Sequence, residues 1–448
     1  MGSRRRVLMK HTAPGGEMRI ASLPLETPTS DEQVMERILE RENLKRALKR
    51  VRENKGAPGV DGMKVGQLLG YLWRHWPKIL KDLLGGRYRS LPVRGKEIPK
   101  NNGPDMRLLG IPAVLDRFVY QAVNQVLQEI WDPTFSKGSF GFRPGLSQWD
   151  AMLLAQKYVQ AGYRVVVNID LSKFFDRVNH DRLMSRLATR VKDKRVLKLI
   201  RAALNSGLMM DGLTSLTEEG VPQGSPLSPL LSNIVLDELD KEMERRGLAF
   251  VRYADDFLIF VRSKKAAKRV MASIDRFITG KLKLKINAEK SSIERPWECK
   301  FLGFSFTNSR NNPKIRIHWK TIKRFRQRVK ELTRRTCGRS QEQVIRKLME
   351  YLNGWWNYYR LAESTNRLRP LSHWIRRRLR AVVWKQWKNR RTRVRELLRR
   401  GVSRSYAVTT GCARKGPWRM SNVKWVVIAL PDVYFGSLGF SAPWESSA

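Results

Sequence analysis

The chain has 448 residues, 42% of them apolar, and its 88 Lys and Arg outnumber 41 Asp and Glu to give a formal net charge of +47. This is enough apolar material for about three domains with real cores, which excludes wholesale disorder, and so large a basic surplus in a chain with 14 Trp points to nucleic acid rather than a membrane. No apolar run approaches the roughly 20 residues of a membrane span, the start MGSRRR lacks the apolar segment of a secretory signal, and Cys299, Cys337, Cys412 and the scattered histidines lack zinc-ligand spacing, so a cytoplasmic location is expected.

Residues 1–30, rich in Pro and Gly with little apolar periodicity, read as a mobile basic tail. Ser30 with Asp31, Glu32 and Gln33 forms an N-cap signal, and Val34, Ile38, Leu44 and Leu48 follow at helical spacing. After the loop GAPGVDG a second helix carries Leu68, Leu72 and Trp76. Residues 88–112 alternate in strand fashion around NNGPD and predict a basic hairpin able to hold a triphosphate. A helix over 116–131 precedes the loop FSKGSFGFRPG, which reads equally as a packed turn or as part of a site.

In RVVVNIDLSKFF, at 164–175, the β-branched run makes a buried strand, and Asp170 stands at its end, where packing does not call for an acid. A helix including Leu183, Leu187 and Leu197 leads to GVPQGSPLSP, a loop whose backbone NH groups and Gln223 can approach a base or phosphate. A helix is expected over 230–245. Residues 249–262, AFVRYADDFLIFVR, then read as a hairpin with Asp255 and Asp256 at its turn. Next come a helix, a turn-like stretch over 284–293 and the strand FLGFSF. From about 315 the composition shifts to three basic, aromatic helices near 319–336, 341–361 and 367–400, where Trp355, Trp356, Tyr358 and Tyr359 read as core before stacking platforms. Residues 403–448 are small and basic, with DNA binding one option.

Adjacent acids repel and raise each other's proton affinity, so Asp255 and Asp256 are most easily maintained around a cation. An isolated Asp-Asp is equally the mark of a solvated turn. A third carboxylate, Asp170, changes that balance, because three acids at neighbouring strand ends would hold two divalent ions roughly 3.5–4 Å apart for in-line phosphoryl displacement. Such chemistry rests on positioning and charge neutralisation and needs no nucleophilic Ser, Cys or His.

In order, IPK at 98–100, LGIP at 109–112, SFGFRP at 139–144, DLSKFFD at 170–176, PQGSPLSP at 222–229, YADD at 253–256 and FLGF at 301–304 resemble the successive blocks of bacterial group II intron reverse transcriptase/maturases. Single blocks are weak signals; seven in order are specific. The resemblance runs from about 31 to 400 and, lacking a Cys/His endonuclease signature, is to the compact, group IIC-like class. It implies an α+β right-hand polymerase, with fingers and an antiparallel palm sheet, followed by an all-helical thumb or maturase domain. It further implies Asp170, Asp255 and Asp256 as catalytic metal ligands, with the Leu171 carbonyl added, for two Mg2+ ions that Mn2+ can replace. Lys100 and Arg107 fall where the family grips the triphosphate, Phe175 where a ring excludes a 2′-hydroxyl, and Gln223 where the loop meets the nucleotide. Ser225 stands where many members carry a second Gly.

The expected organisation is a tail (1–30), an N-terminal extension and fingers (31–165), a palm with part of the fingers interleaved (166–310), a thumb (311–402) and a C-terminal segment (403–448). The implied function is RNA-directed DNA synthesis with intron RNA binding and splicing for retrohoming. Its partners are intron RNA or another RNA template, a DNA target or primer, and dNTPs, with nucleoid association during work on DNA. The alternatives are an RNA-binding splicing cofactor with an idle polymerase site, or a palm polymerase of different template or sugar choice, against which Phe175 argues.

Overall fold

The computed structural model describes residues 33–99, 106–210, 213–215, 220–221, 224–336, 338–365 and 368–445, and at 107 and 213–215 the backbone alone. The expected tail, the Ser30 cap, Lys100, the turn of the basic hairpin and Gln223 lie outside these residues. The described strands are β1 (Val93–Pro99), β2 (Met106–Ile111), β3 (Val165–Ile169), β4 (Leu208–Met210), β5 (Leu213–Ser215), β6 (Ala249–Tyr253), β7 (Asp256–Val261), β8 (Ser292–Glu294), β9 (Phe304–Phe306) and β10 (Ile315–Ile317).

The central sheet has the order β6-β7-β3-β8 and every pairing in it is antiparallel. Its strands read as near-continuous apolar runs because both faces are covered. Val165, Val167, Ile169, Phe257, Ile259 and Val261 enter one core with the helices Val114–Trp131, Ser228–Arg245 and Lys264–Phe277. Val166, Leu258 and Phe260 enter a second core with the helix Gln148–Gln160, β9, β10 and the C-terminal helices. A one-residue slip would exchange the two sets, so the register is strongly specified.

β1 and β2 form the expected hairpin, with Ile98 opposite Arg107. β1 also runs parallel to β4, which pairs with β5, giving a second sheet β2-β1-β4-β5. Several local expectations are corrected. The first helix is two, Val34–Leu39 and Arg41–Asn54, parted by extended backbone at Glu40 (ψ 136°). The helix expected through Leu183 and Leu197 is also two, His180–Ala188 and Lys194–Leu204, each started by its own cap: Asn179 accepts from the Arg182 N–H and Asp193 from the Arg195 N–H. Within the stretch taken as turn-like, β8 closes the edge of the central sheet, and Ile286 bridges Leu171.

The thumb helices are Trp319–Leu332, Gln341–Tyr359 and Arg369–Gln386, and the last ends before Arg390–Arg399, where Asn389 caps a new start. Trp355 packs on Phe325 at 4.4 Å and Tyr359 on Phe304 at 5.1 Å between ring centres, as core residues do. Tyr358 is exposed and donates from its hydroxyl to the Leu302 carbonyl. Residues 403–445 form four short helices and pack back on the thumb. Met420, Val426, Leu430, Phe435, Phe440 and Trp444 are buried in its core, Trp444 donates to Ser372 Oγ at 2.8 Å, and Arg376 binds Glu445 with both terminal nitrogens.

Candidate active site

β6 and β7 form a tight hairpin in which Tyr253 pairs with Asp256, so Ala254 and Asp255 make the turn. Ala254 has a left-handed φ of 58°, a conformation that costs an L-residue about 1 kcal/mol. The turn is held from beneath. The Arg252 guanidinium, fully buried, donates from Nη1 to the Ala254 carbonyl and to Asn233 Oδ1, each at 2.9 Å, and grips Asp240 through Nε and Nη2. Removing either partner of such a pair leaves an uncompensated buried charge, worth about 3–5 kcal/mol. Asn233 in turn donates to the Gly141 carbonyl at 2.9 Å. At Gly141 a Cβ would lie 2.2 Å from the Ala254 nitrogen, so only glycine allows this approach. The loop FSKGSFGFRPG is thus the packed seat of the acid-bearing turn.

The register that pairs Ile169 with Phe257, carried one step further, sets Asp170 opposite Asp256. The structure therefore brings Asp170, Asp255 and Asp256 to one end of the central sheet. Burial, reinforced by the neighbouring Asp255 and Asp170, pushes the Asp256 carboxyl up to about 6, while Lys300 and Lys290 pull it back. One side of this carboxyl is open to water, which screens it, and the upward direction follows from the three acids sharing one strand end. Lys290 Nζ stands 4.0 Å from Asp170 Oδ2.

Leu171 makes an antiparallel bridge with Ile286 through its neighbours, since the Asn287 N–H donates to the Asp170 carbonyl and the Ser172 N–H to the Lys285 carbonyl. The Leu171 carbonyl takes no part in that pair and is directed away from it. Among the described residues, no three His, Cys, Asp or Glu side chains converge as a ready-made metal cage. Magnesium does not require one. It is commonly held by one or two carboxylates, with substrate phosphates and water completing its shell, and the mutual repulsion at Asp256 is what a divalent cation would offset. The donor set fits such an ion.

Of the nucleotide-side candidates, the structure describes Phe175 and the backbone of Arg107. Phe175 is half-buried, packed edge-on to Phe174 at 5.3 Å, and its carbonyl accepts from the Val221 N–H at 2.6 Å. Buried His180 donates from Nε2 to the Gly220 carbonyl, also at 2.6 Å, and fixes the start of that loop. At Gly224 a Cβ would meet the Gly110 carbonyl of β2 at 2.5 Å, so the loop lies flush against the strand that carries Arg107. Phe175, this loop and β2 are therefore neighbours. Next to Gly141, an open groove of about 900 Å3 is lined by Phe142, by the basic Arg46, Lys49, Arg50 and Arg143 and by the acidic Glu53, Glu129 and Asp132. Phe142 is 46% exposed and also has a left-handed φ, 61°. Arg46 and Arg143 are paired with Glu129 and Asp132, and Lys49, Arg50 and the exposed ring are the features that suit a polynucleotide strand.

Arg252, Asp240, Asn233, Lys290 and His180 escape a reading of motifs. One signal was present: an Arg at an inward-facing register of an apolar strand requires a buried acid partner.

The fold and the acid-tipped palm sheet are those of a right-hand polymerase. Residues 98–306 match the model for "Reverse transcriptase (RNA-dependent DNA polymerase)" and 322–401 that for "Group II intron, maturase-specific domain". Protein YkfC of Escherichia coli is 34% identical over 280 residues, 54% of this chain and 73% of that protein. The group II intron-encoded protein LtrA of Lactococcus lactis is 29% identical over 316 residues, covering 56% of this chain and 52% of that one. Among solved structures, a chain of the partial Cas6-RT-Cas1–Cas2 complex is similar at 25% identity and a TM-score of 0.36, over 55% of this chain and 42% of that one. The chain belongs to the reverse transcriptases of the group II intron-encoded type, with a maturase-specific domain after the polymerase. It spans about half the length of LtrA. No helix among the described residues is long and apolar enough to cross a membrane.

Proposed function

We propose that this chain synthesises DNA on an RNA template and also binds a structured intron RNA and assists its splicing. The observation that carries the reading is the meeting of Asp170, Asp255 and Asp256 at one end of the palm sheet, next to a basic hairpin and a glycine-rich loop. Asp170, Asp255 and Asp256, with the Leu171 carbonyl, are the ligands for two divalent ions, magnesium by preference and manganese as substitute. When bound, these ions acidify the primer 3′-hydroxyl and neutralise the leaving pyrophosphate. Lys100 and Arg107 hold the triphosphate, Gln223 contacts the nucleotide, and the Phe175 ring fills the space a ribose 2′-hydroxyl would need.

In the same reading residues 31–165 supply the N-terminal extension and fingers, 166–310 the palm and 311–402 the thumb. The segment 403–448 extends the thumb, which its shared core supports. The partners are an intron or template RNA, a DNA primer or target and dNTPs, in the cytoplasm, as the bacterial relatives suggest.

The test is primer extension on an RNA template with magnesium, comparing dNTPs with NTPs and wild type with Asp255→Asn. DNA product from wild type alone, with equal RNA affinity in both proteins, is the expected result. Synthesis by the Asp255→Asn protein would remove the assignment of the acids. Tight RNA binding and splicing without synthesis by wild type would instead identify a maturase with an idle polymerase site.

A further inference from the structure

The loop that seats the catalytic turn also presents Phe142 to the groove, and the buried Asn233 side chain is one of the links between the two. Asn233 is fully buried on the helix Ser228–Arg245. Its Nδ2 donates to the Gly141 carbonyl at 2.9 Å, and its Oδ1 accepts from Arg252 Nη1, which also donates to the Ala254 carbonyl. The backbone repeats the tie, since the Phe140 N–H donates to the Arg252 carbonyl and the Arg252 N–H to the Gly138 carbonyl. Within the loop, Arg143 binds Asp132 and the carbonyls of Ser136 and Ser139, so the segment has little freedom to move alone. A shift of the groove wall is therefore passed to the turn carrying Asp255 and Asp256 through Gly141, Asn233 and Arg252.

We propose that Asn233, acting through Arg252, is a positioning residue that locks the acid-bearing turn to the groove-lining loop, so that a nucleic-acid strand seated on Phe142 and the metal-binding acids share one register. This rests on the reading of Asp255 and Asp256 as metal ligands. Asn233 touches neither substrate nor metal. Its loss leaves the Arg252–Asp240 pair, the backbone hydrogen bonds between loop and strand and the three acids in place, and removes the side-chain part of the brace, leaving the Gly141 carbonyl without its donor.

The experiment uses the full chain bound to an RNA template, a DNA primer and a non-hydrolysable deoxynucleotide analogue. Mn2+ binding is followed by electron paramagnetic resonance, and kcat and KM are measured in parallel with the natural dNTP. For Asn233→Ala the expected result is a several-fold weaker Mn2+ affinity and a kcat lower by about 10-fold or more, with KM for RNA unchanged, because small misplacements of reacting groups are amplified in rate. A folded Asn233→Ala protein with wild-type Mn2+ affinity and kcat overturns the proposal. Should it not fold, the near-isosteric Asn233→Asp, which keeps an acceptor for Arg252 and replaces the donor to Gly141 by a carboxylate oxygen that repels its carbonyl, decides on the same readouts. If neither folds, the residue serves folding and the proposal is withdrawn. Asp255→Asn, run alongside, separates the two readings: if that protein keeps synthesis the metal assignment itself is wrong, whereas if it is inactive and Asn233→Ala is normal only the positioning role is lost.

Discussion

A single methyl group placed at residue 141 should slow nucleotide addition without loosening the grip on RNA. In Gly141→Ala the new Cβ would sit 2.2 Å from the Ala254 nitrogen, 2.9 Å from the Tyr253 carbonyl carbon and 3.0 Å from the Ala254 Cα, all backbone atoms that cannot rotate away. Comfortable contact begins near 3.4 Å, so the loop and the turn must separate by about 1 Å. Overpacking of this kind destabilises by about 1–3 kcal/mol, which a chain with two large cores can absorb. The rate is more sensitive, because a misplacement of about 1 Å can reduce it by about 100-fold. Arg46, Lys49 and Arg50 in the groove wall are untouched, so template affinity should stay within about twofold, since the phosphate contacts that dominate it are unchanged. Single-turnover addition of one dNTP, with RNA affinity measured by filter binding, reads both quantities. A folded variant that adds the nucleotide within about threefold of wild type would show that the turn does not depend on this close approach.

Phe175→Ala should increase ribonucleotide incorporation relative to deoxynucleotide, and an unchanged ratio of kcat/KM values would end the sugar-exclusion role of that ring. Trp444, 6% exposed and bonded to Ser372, should lose about 3–5 kcal/mol of thumb stability on replacement by Ala; a thermal midpoint equal to wild type would mean that the C-terminal helices do not share the thumb core. RNA affinity should fall by about 1,000-fold or more between roughly 50 and 200 mM salt if six or more phosphates are contacted, and a flat salt profile would contradict a binding surface built from the basic surplus. Burial pushes the Asp116 carboxyl up to about 6 even though Tyr88 and the Leu91 N–H donate to it. The folded state prefers the neutral acid, so no penalty exists below pH about 4, where both states are protonated, and it grows to about 3 kcal/mol as the pH rises past 6. Asp116→Asn should lack that component, and parallel stability profiles for the two proteins between pH 4 and 8 would refute it.

Much of the site was legible because it is written in local chemistry. A β-branched run ending in Asp170, a hairpin with two acids at its turn, and a Gly-Pro-Ser loop each carry their signal within a dozen residues, and their order along the chain marks the family. The strand alternation at 88–112 likewise foretold the hairpin of β1 and β2. Where a helix starts depends on a single capping residue, and Asn179, Asp193 and Asn389 broke what apolar periodicity alone joined.

What only the tertiary structure decided is which distant residues meet. The opposition of Asp170 and Asp256 follows from the pairing of β3 with β7, strands far apart in the chain. The brace of Gly141, Asn233, Arg252 and Asp240 draws on a loop, a helix and a strand, and leaves no periodic mark in any of them. The stretch after 402 reads in sequence as a small basic segment with short apolar runs, yet Met420, Val426, Leu430, Phe435, Phe440 and Trp444 from it fill the thumb core. Periodicity and turn chemistry act along the chain, whereas a buried charge is tolerated only where the fold delivers its partner, and that delivery is a property of the packed sheet and helices rather than of any one stretch.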